Sequence, residues 1–378
     1  IEGIDACLLA GYTGQYAAAV LPEILWGEVN PSGHTADTWA YDFSTAASYA
    51  NAGENGVGSY SNGEGLYPYN GTRNGNLGEE FQYDQVSYVD YAEGIYVGYK
   101  WYETADTEGY WNQVDNDYGK GYEGVVQYPF GYGLSYTTFE WELLDHSIQI
   151  DKDGDVSAKV KVTNTGDKAG KDVVELYYAA PYLKGEIEKS AVELGDYAKT
   201  KLLEPGESEE VTLTISAEDM ASYDAYDSNQ NGFTGYELDE GTYTFSIRTD
   251  SHTVKEQFDI VLNKNIQCAE DGTTGNTVSN KFTGKDAIDG VSLDGSDSDA
   301  DIKFLTRADF EGTFPKENIK TREMTENVKK LNLYTDEMAN EWINKEDKAI
   351  TTGEKNHLKI EENGEITDLG IQLGSDYD

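Results

Sequence analysis

Two cysteines, Cys7 and Cys268, are all that the chain carries, and that count excludes a disulfide framework and a thiolate metal site. Basic residues are scarce as well: 28 Lys and Arg stand against 71 Asp and Glu, a formal net charge of -43. Such a chain repels phosphate backbones and anionic lipid headgroups, so nucleic acid and membrane surfaces are not expected partners. No apolar run approaches the roughly 20 residues that cross a bilayer. Neither an initiator Met nor a charged leader precedes Ile1, and the chain is therefore expected to begin inside a longer protein. His34, His146, His252 and His357 are the only histidines, none in a zinc or triad spacing, and they read as surface or turn-satisfied residues.

Aromatic residues and glycine are abundant: 29 Tyr, 6 Trp and 40 Gly among 378 residues, the aromatics crowding the first third. A ring with an apolar face and a polar tip suits sugar recognition, and it equally suits long loops packed on a domain. The opening IDACLLAG reads as a buried parallel strand, and GQYAAAVLPEILWG then shows helical spacing through Tyr16, Val20, Ile24 and Leu25. Strand followed by helix points to an α/β layer. The helix should end near Gly27, with a kink or a late start at Pro22. Residues 44–76 lack periodicity and are rich in Gly, Asn, Ser and Tyr; a loop of that length serves binding or acts as a lid.

Beyond His146 the period changes to two. VSAKVKV puts Val156, Ala158, Val160 and Val162 on one face, and DVVELYY, EEVTLTI, GTYTFSIR and EQFDIVL follow with turns between them. Short alternating strands over about 100 residues describe an immunoglobulin or fibronectin type III sandwich of seven strands, and the lack of a linking Cys pair favours the fibronectin kind. After Leu262 the chain is polar, with short helical candidates in TENVKKLNLYTDEMANEWI. The expected fold class is therefore α/β plus all-β. Residues 1–145 form the C-terminal part of an α/β sandwich, 146–262 a fibronectin type III-like β-sandwich, and 263–378 an irregular, partly helical tail.

One metal motif is worth weighing. Asp227, Asn229, Asn231 and Gly232 match the opening of a calcium loop, but the twelfth position is Leu238 where a bidentate Glu is needed, so an Asx-rich turn is the expectation. No metal or cofactor is expected. Asn70, Gly71 and Thr72 form a glycosylation sequon that has no meaning in a bacterial protein.

Three blocks resemble glycoside hydrolase family 3 in sequence and order: GEVNPSGHTADTWAYD (27–42), YAEGIYVGYKWYET (91–104) and YPFGYGLSYTTFEW (128–141). A fibronectin-type module containing PYLKGEIEKSAVEL follows, so the resemblance covers residues 1–262. Two departures stand out: His34 takes the place of the Arg that usually follows NPSG, and 51–76 match no family pattern. The segment TRADFEGTFP (306–315) and the closing LGSDYD resemble the lead into the barrel of permuted members, whose sandwich and fibronectin domains come first.

The resemblance implies a bacterial, retaining, exo-acting β-glycosidase of β-glucosidase or β-xylosidase type. A barrel Asp is then the nucleophile and a sandwich Glu the acid/base, about 5 to 5.5 Å apart. Both lie outside this sequence, so the chain is expected to carry no catalytic residue and to be inactive alone. SNGEG around Glu64 is similar to the acid/base loop of some relatives, but its place after NPSG argues against equating them. The implied partners are an oligosaccharide or β-glycoside substrate and the missing barrel, on this polypeptide or a companion chain. Glu64, Tyr67 and Tyr69, beside Tyr60, are the expected substrate-binding residues, offering stacking faces and a hydroxyl acceptor at the rim of the sugar site. The contrasting reading is a non-catalytic carbohydrate-binding or cell-surface protein that uses its fibronectin-like module for interaction.

Overall fold

The computed structural model describes residues 6–11, 17–51, 58–63, 87–278, 303–316, 321–324, 329, 359–360 and 366–368. The chain divides into two compact units, one of residues 1–57 and 89–319, the other of 58–88 and 320–378.

The first unit opens with α1 (Ala17–Leu25), and its end follows from local chemistry. Gly27 takes a φ of +73°, and the N–H groups of Gly27 and Glu28 return to the carbonyls of Ile24 and Glu23 at 3.0 and 2.8 Å. This is the pairing that closes a helix on a left-handed residue. Pro22 lies within the helix and removes one donor from its ladder. Val20, Leu25 and Trp26 are exposed. The expected strand ahead of the helix is not found: residues 6–11 have no regular structure, and Leu8 and Leu9 are exposed. Apolar character alone does not make a strand, since its edge N–H and C=O groups need partners, and the described residues supply none.

Short elements follow: β1 (Trp39–Ala40), β2 (Gly58–Tyr60), β3 (Ser87–Tyr88), α2 (Tyr99–Thr107) and β4 (Val126–Tyr128). In the first unit β1 pairs antiparallel with β4. The core of this portion is aromatic. Trp101, wholly buried on α2, meets Tyr110 and Trp111 edge-on with ring centres 5.4 and 5.7 Å apart, and its indole N–H donates to the Thr45 carbonyl at 2.8 Å.

The all-β part runs through β5 (Phe139–His146), β6 (Asp155–Asn164), β7 (Val173–Ala179), β8 (Glu193–Lys199), β9 (Ser208–Ser216), β10 (Ser222–Asp224), β11 (Gly235–Leu238), β12 (Gly241–Arg248), β13 (Val254–Leu262) and β14 (Ile266–Cys268). A four-stranded sheet of order β13-β12-β7-β8 faces a three-stranded sheet β5-β6-β9, and β10-β11-β14 form a small third sheet. The strand β5 begins at Phe139, ahead of the boundary expected at 146. Val156, Ala158, Val160 and Val162 of β6 are all buried and share one core with Leu176, Leu213 and Phe245. Strand β7 departs from alternation, with Val173 through Tyr178 all buried. Val174, Leu176 and Tyr178 face the sandwich core. Its other face is also covered: the Tyr177 ring meets Tyr99 of α2 edge-on at 5.9 Å.

Part of the polar tail is packed rather than loose. In the first unit, residues 303–316 carry the short helix α3 (Phe310–Thr313), and Leu305 and Phe310 are buried in the same aromatic core as Trp101. In the second unit, β15 (Thr321–Arg322) pairs in parallel with β2, which pairs antiparallel with β3.

Candidate functional site

Glu64, Tyr67 and Tyr69, the expected sugar-binding residues, lie outside the described residues. The flanking strands β2 and β3 pair in the second unit, with the Tyr60 and Tyr88 rings 4.9 Å apart. Asn62, just after β2, donates to the Met324 carbonyl at 3.0 Å and accepts from the Met324 N–H at 2.7 Å.

In the first unit the three sequence blocks meet at the seam between the α/β portion and the β-sandwich. The first and third are zipped together. Thr35 N–H donates to Tyr132 O at 2.8 Å, Gly131 N–H returns to Thr35 O at 2.8 Å, and the His34 ring bonds the Gly131 carbonyl through Nδ1 at 2.5 Å. His34 fits where it stands because Gly133 has no side chain: a Cβ there would lie 3.0 Å from the ring. Asn30 extends the zipper across the seam, donating to Ser135 Oγ at 3.0 Å and to the Ala169 carbonyl of the sandwich at 3.1 Å. The second block docks α2 on the strand β8 and the connection before it. Tyr99 Oη accepts from Leu194 N–H and Thr104 Oγ1 from Ala191 N–H, both at 2.9 Å, while Lys100 pairs with Glu193 at 2.6 Å.

Buried carboxylates sit at the centre of this seam. Glu103 of α2 accepts from Tyr122 Oη at 2.5 Å and from two residues between β12 and β13, Ser251 Oγ at 3.1 Å and His252 Nδ1 at 2.9 Å. The His252 ring stacks on Tyr122 with centres 3.8 Å apart. The hydrogen bond to Glu103 holds the His252 pKa above its ordinary value, against the opposing effect of burial. Glu175 of β7 lies beneath Gly131, and burial pushes its carboxyl up to about 7, although Tyr177 Oη donates to it at 2.8 Å. Each buried carboxylate is held by hydrogen bonds from neighbouring side chains, and their chemistry is that of a hydrogen-bonded joint with His252 at its exposed edge.

Other candidate positions resolve as turns or open surface. In the 227–232 loop, Asp227, Asn229 and Asn231 spend side-chain oxygens on the N–H groups of Gly232, Asn231 and Phe233, and both amides donate to Glu237. That is the Asx-rich turn the sequence favours. Among the described residues no group of three or more His, Cys, Asp or Glu is arranged to hold a metal. An open pocket of about 470 Å³ lies on the sandwich edge, lined by Trp141, Asp145, His146 and Glu256. On the α/β portion, Tyr41 and Tyr118 stack face to face at 4.0 Å and are 38% and 63% exposed, leaving ring faces open to solvent.

Comparison with known proteins follows the same lines. A fibronectin type III-like domain model matches residues 172–251. The chain is 35% identical over 278 residues to β-glucosidase A of Butyrivibrio fibrisolvens, a match covering 70% of this chain and 28% of that protein. It is 31% identical over 258 residues to a β-glucosidase of Ruminococcus albus, covering 68% and 22%. A solved β-glucosidase from Paenibacillus barengoltzii superposes with a TM-score of 0.49 at 31% identity, over 66% of this chain and 22% of that one. The resemblance of the three blocks to the family 3 β-glucosidases is borne out by these relatives. This chain spans less than a third of the length of either curated relative.

Proposed function

We propose that the chain is part of a retaining, exo-acting β-glycosidase that removes terminal β-linked sugars, and that it supplies scaffold and not the catalytic carboxylates. The observation that carries this reading is the seam. Three blocks that resemble glycoside hydrolase family 3 are knitted to a fibronectin-like module by hydrogen bonds, and the two buried carboxylates there, Glu103 and Glu175, are held by neighbouring side chains. In this reading residues 1–145 are the end of an α/β sandwich, 146–262 the fibronectin-like domain, and 263–378 the lead toward a barrel that holds the nucleophile. The test is hydrolysis of aryl β-glucosides and β-xylosides by the complete protein and by this chain alone. The complete protein should turn over and the chain should not; turnover by the chain, abolished by an acidic substitution within it, would overturn the assignment.

The loop from β2 to β3 is placed at the rim of the sugar site under the same reading. Long loops with aromatic and acidic side chains suit stacking and hydroxyl contacts. In the complete protein Tyr67→Ala and Glu64→Gln should raise KM with Tm unchanged, because such contacts act on bound sugar and not on the core. A lowered Tm with unchanged kinetics would make the loop structural. The stacked, open Tyr41 and Tyr118 rings favour a second reading, sugar binding without catalysis. Calorimetric titration of this chain with cello-oligosaccharides separates the two, since only the second reading expects binding by the chain alone.

A further inference from the structure

We propose that residues 303–316 are a clasp that joins the α/β portion and the fibronectin-like module into one cooperative body, a role that stands whatever the complete protein hydrolyses. The segment first organises itself. Asp309 caps α3 through the Gly312 N–H at 3.0 Å, Thr313 Oγ1 accepts from the Thr306 N–H at 3.1 Å and donates to the Asp309 carbonyl at 2.6 Å, and Lys303 reaches the Gly312 carbonyl at 2.6 Å. This local order presents Phe310 to the aromatic core, where its ring meets Trp101 and Tyr96 edge-on at 5.0 and 5.3 Å. Leu305 is buried beside it, its N–H on the Ala92 carbonyl at 2.7 Å.

Arg307 of the same segment bridges the two portions. Arg307 donates through Nε to Glu108 behind α2 at 2.7 Å and through its guanidinium to the Lys189 carbonyl at 3.1 Å, and it lies 4.3 Å over the Tyr182 ring. Glu188 of the fibronectin-like module is the node: its carboxylate accepts from Tyr96 of the α/β portion, from the Thr306 hydroxyl and from the Arg307 N–H at 3.0 Å. Two stretches far apart in sequence converge on one carboxylate, and Glu188 loses two of its three charge-assisted bonds if the clasp leaves. Removing Phe310 would also open the packing around Trp101.

Hydrogen exchange on the full chain tests this. The amides of Leu305, Arg307 and Phe314 should be protected on the timescale of β7, and Phe310→Ala should speed exchange in both 303–316 and α2 by about tenfold or more while β6 and β9 keep theirs. Arg307→Gln, which spares the core, should loosen 303–316 and the 182–189 connection together, and it serves if the Phe310 variant does not fold. Exchange of 303–316 at the rate of unstructured chain, or loosening in either variant confined to 303–316, would show a passenger segment and overturn the clasp.

Discussion

At the scale of single residues, Gly131 shows how a position in a family-like block can be fixed by packing without performing any chemistry. Its φ is +83°, and a Cβ there would stand 2.6 Å from both carboxylate oxygens of Glu175. Gly131→Ala therefore meets a backbone penalty and a collision, and thermal unfolding should show a loss of about 2 to 4 kcal/mol. Gly121→Ala, with φ +61° and nothing within 4 Å, isolates the backbone part and should lose only about 1 kcal/mol. Glu175 beneath makes a pH prediction. Its folded pKa of about 7 lies above the ordinary 4.5, so the folded chain retains a proton that the unfolded chain has released. Its contribution is whole below pH 4.5 and is lost as pH rises through about 7, on the order of 3 kcal/mol for the full shift. Tm of Glu175→Gln should consequently vary less with pH over that window than Tm of the parent. None of this was visible in the sequence, because burial is a tertiary property and Glu103 and Glu175 stand alone among unremarkable neighbours. His252 read as a surface or turn-satisfied residue; its side chain is 40% exposed, and what the sequence did not show is its bond to the buried Glu103 carboxylate.

At the scale of elements, legibility followed the strength of the period. Strand β6 was readable because its four apolar positions alternate with polar ones, and each of the four is buried. Strand β5 carries the same signal in Phe139, Trp141 and Leu143, all packed against the sandwich core, but it overlaps the third block and was assigned to it. In the apolar run at the start, residues 6–11 form no strand, since apolar character cannot report whether partners exist. The clasp is the opposite case: Leu305, Phe310 and Phe314 have no regular spacing, and only their docking on Trp101 and its neighbours reveals them. The sandwich should respond as its burial dictates. Leu213→Ala on β9, wholly buried, should cost about 3 kcal/mol in chemical denaturation. Leu202→Ala, 52% exposed in the connection before β9, should change stability by less than about 0.5 kcal/mol.

At the scale of the whole molecule, charge dominates. A net -43 repels itself in the compact state, so added salt should raise Tm by screening, and mild acid should raise it further. The buried groups act in the same direction: burial raises the pKa of Glu93, Asp106, Asp172 and Glu237, and His252 is raised by Glu103, so each contributes most below its unfolded value and loses that contribution as pH climbs. A Tm profile from pH 5 to 8 should fall toward the alkaline end; a profile that rises would contradict both terms. The contrast between Trp26, 79% exposed behind α1, and Trp101, sealed among aromatic edges, has an optical consequence. The two indoles occupy different dielectric surroundings, so Trp101 should emit to the blue of Trp26. Acrylamide, being neutral and indifferent to the acidic surface, should extinguish Trp26 first and leave the blue component. That surviving light is an intrinsic gauge of the aromatic core: the moment at which it becomes quenchable marks the moment the core opens.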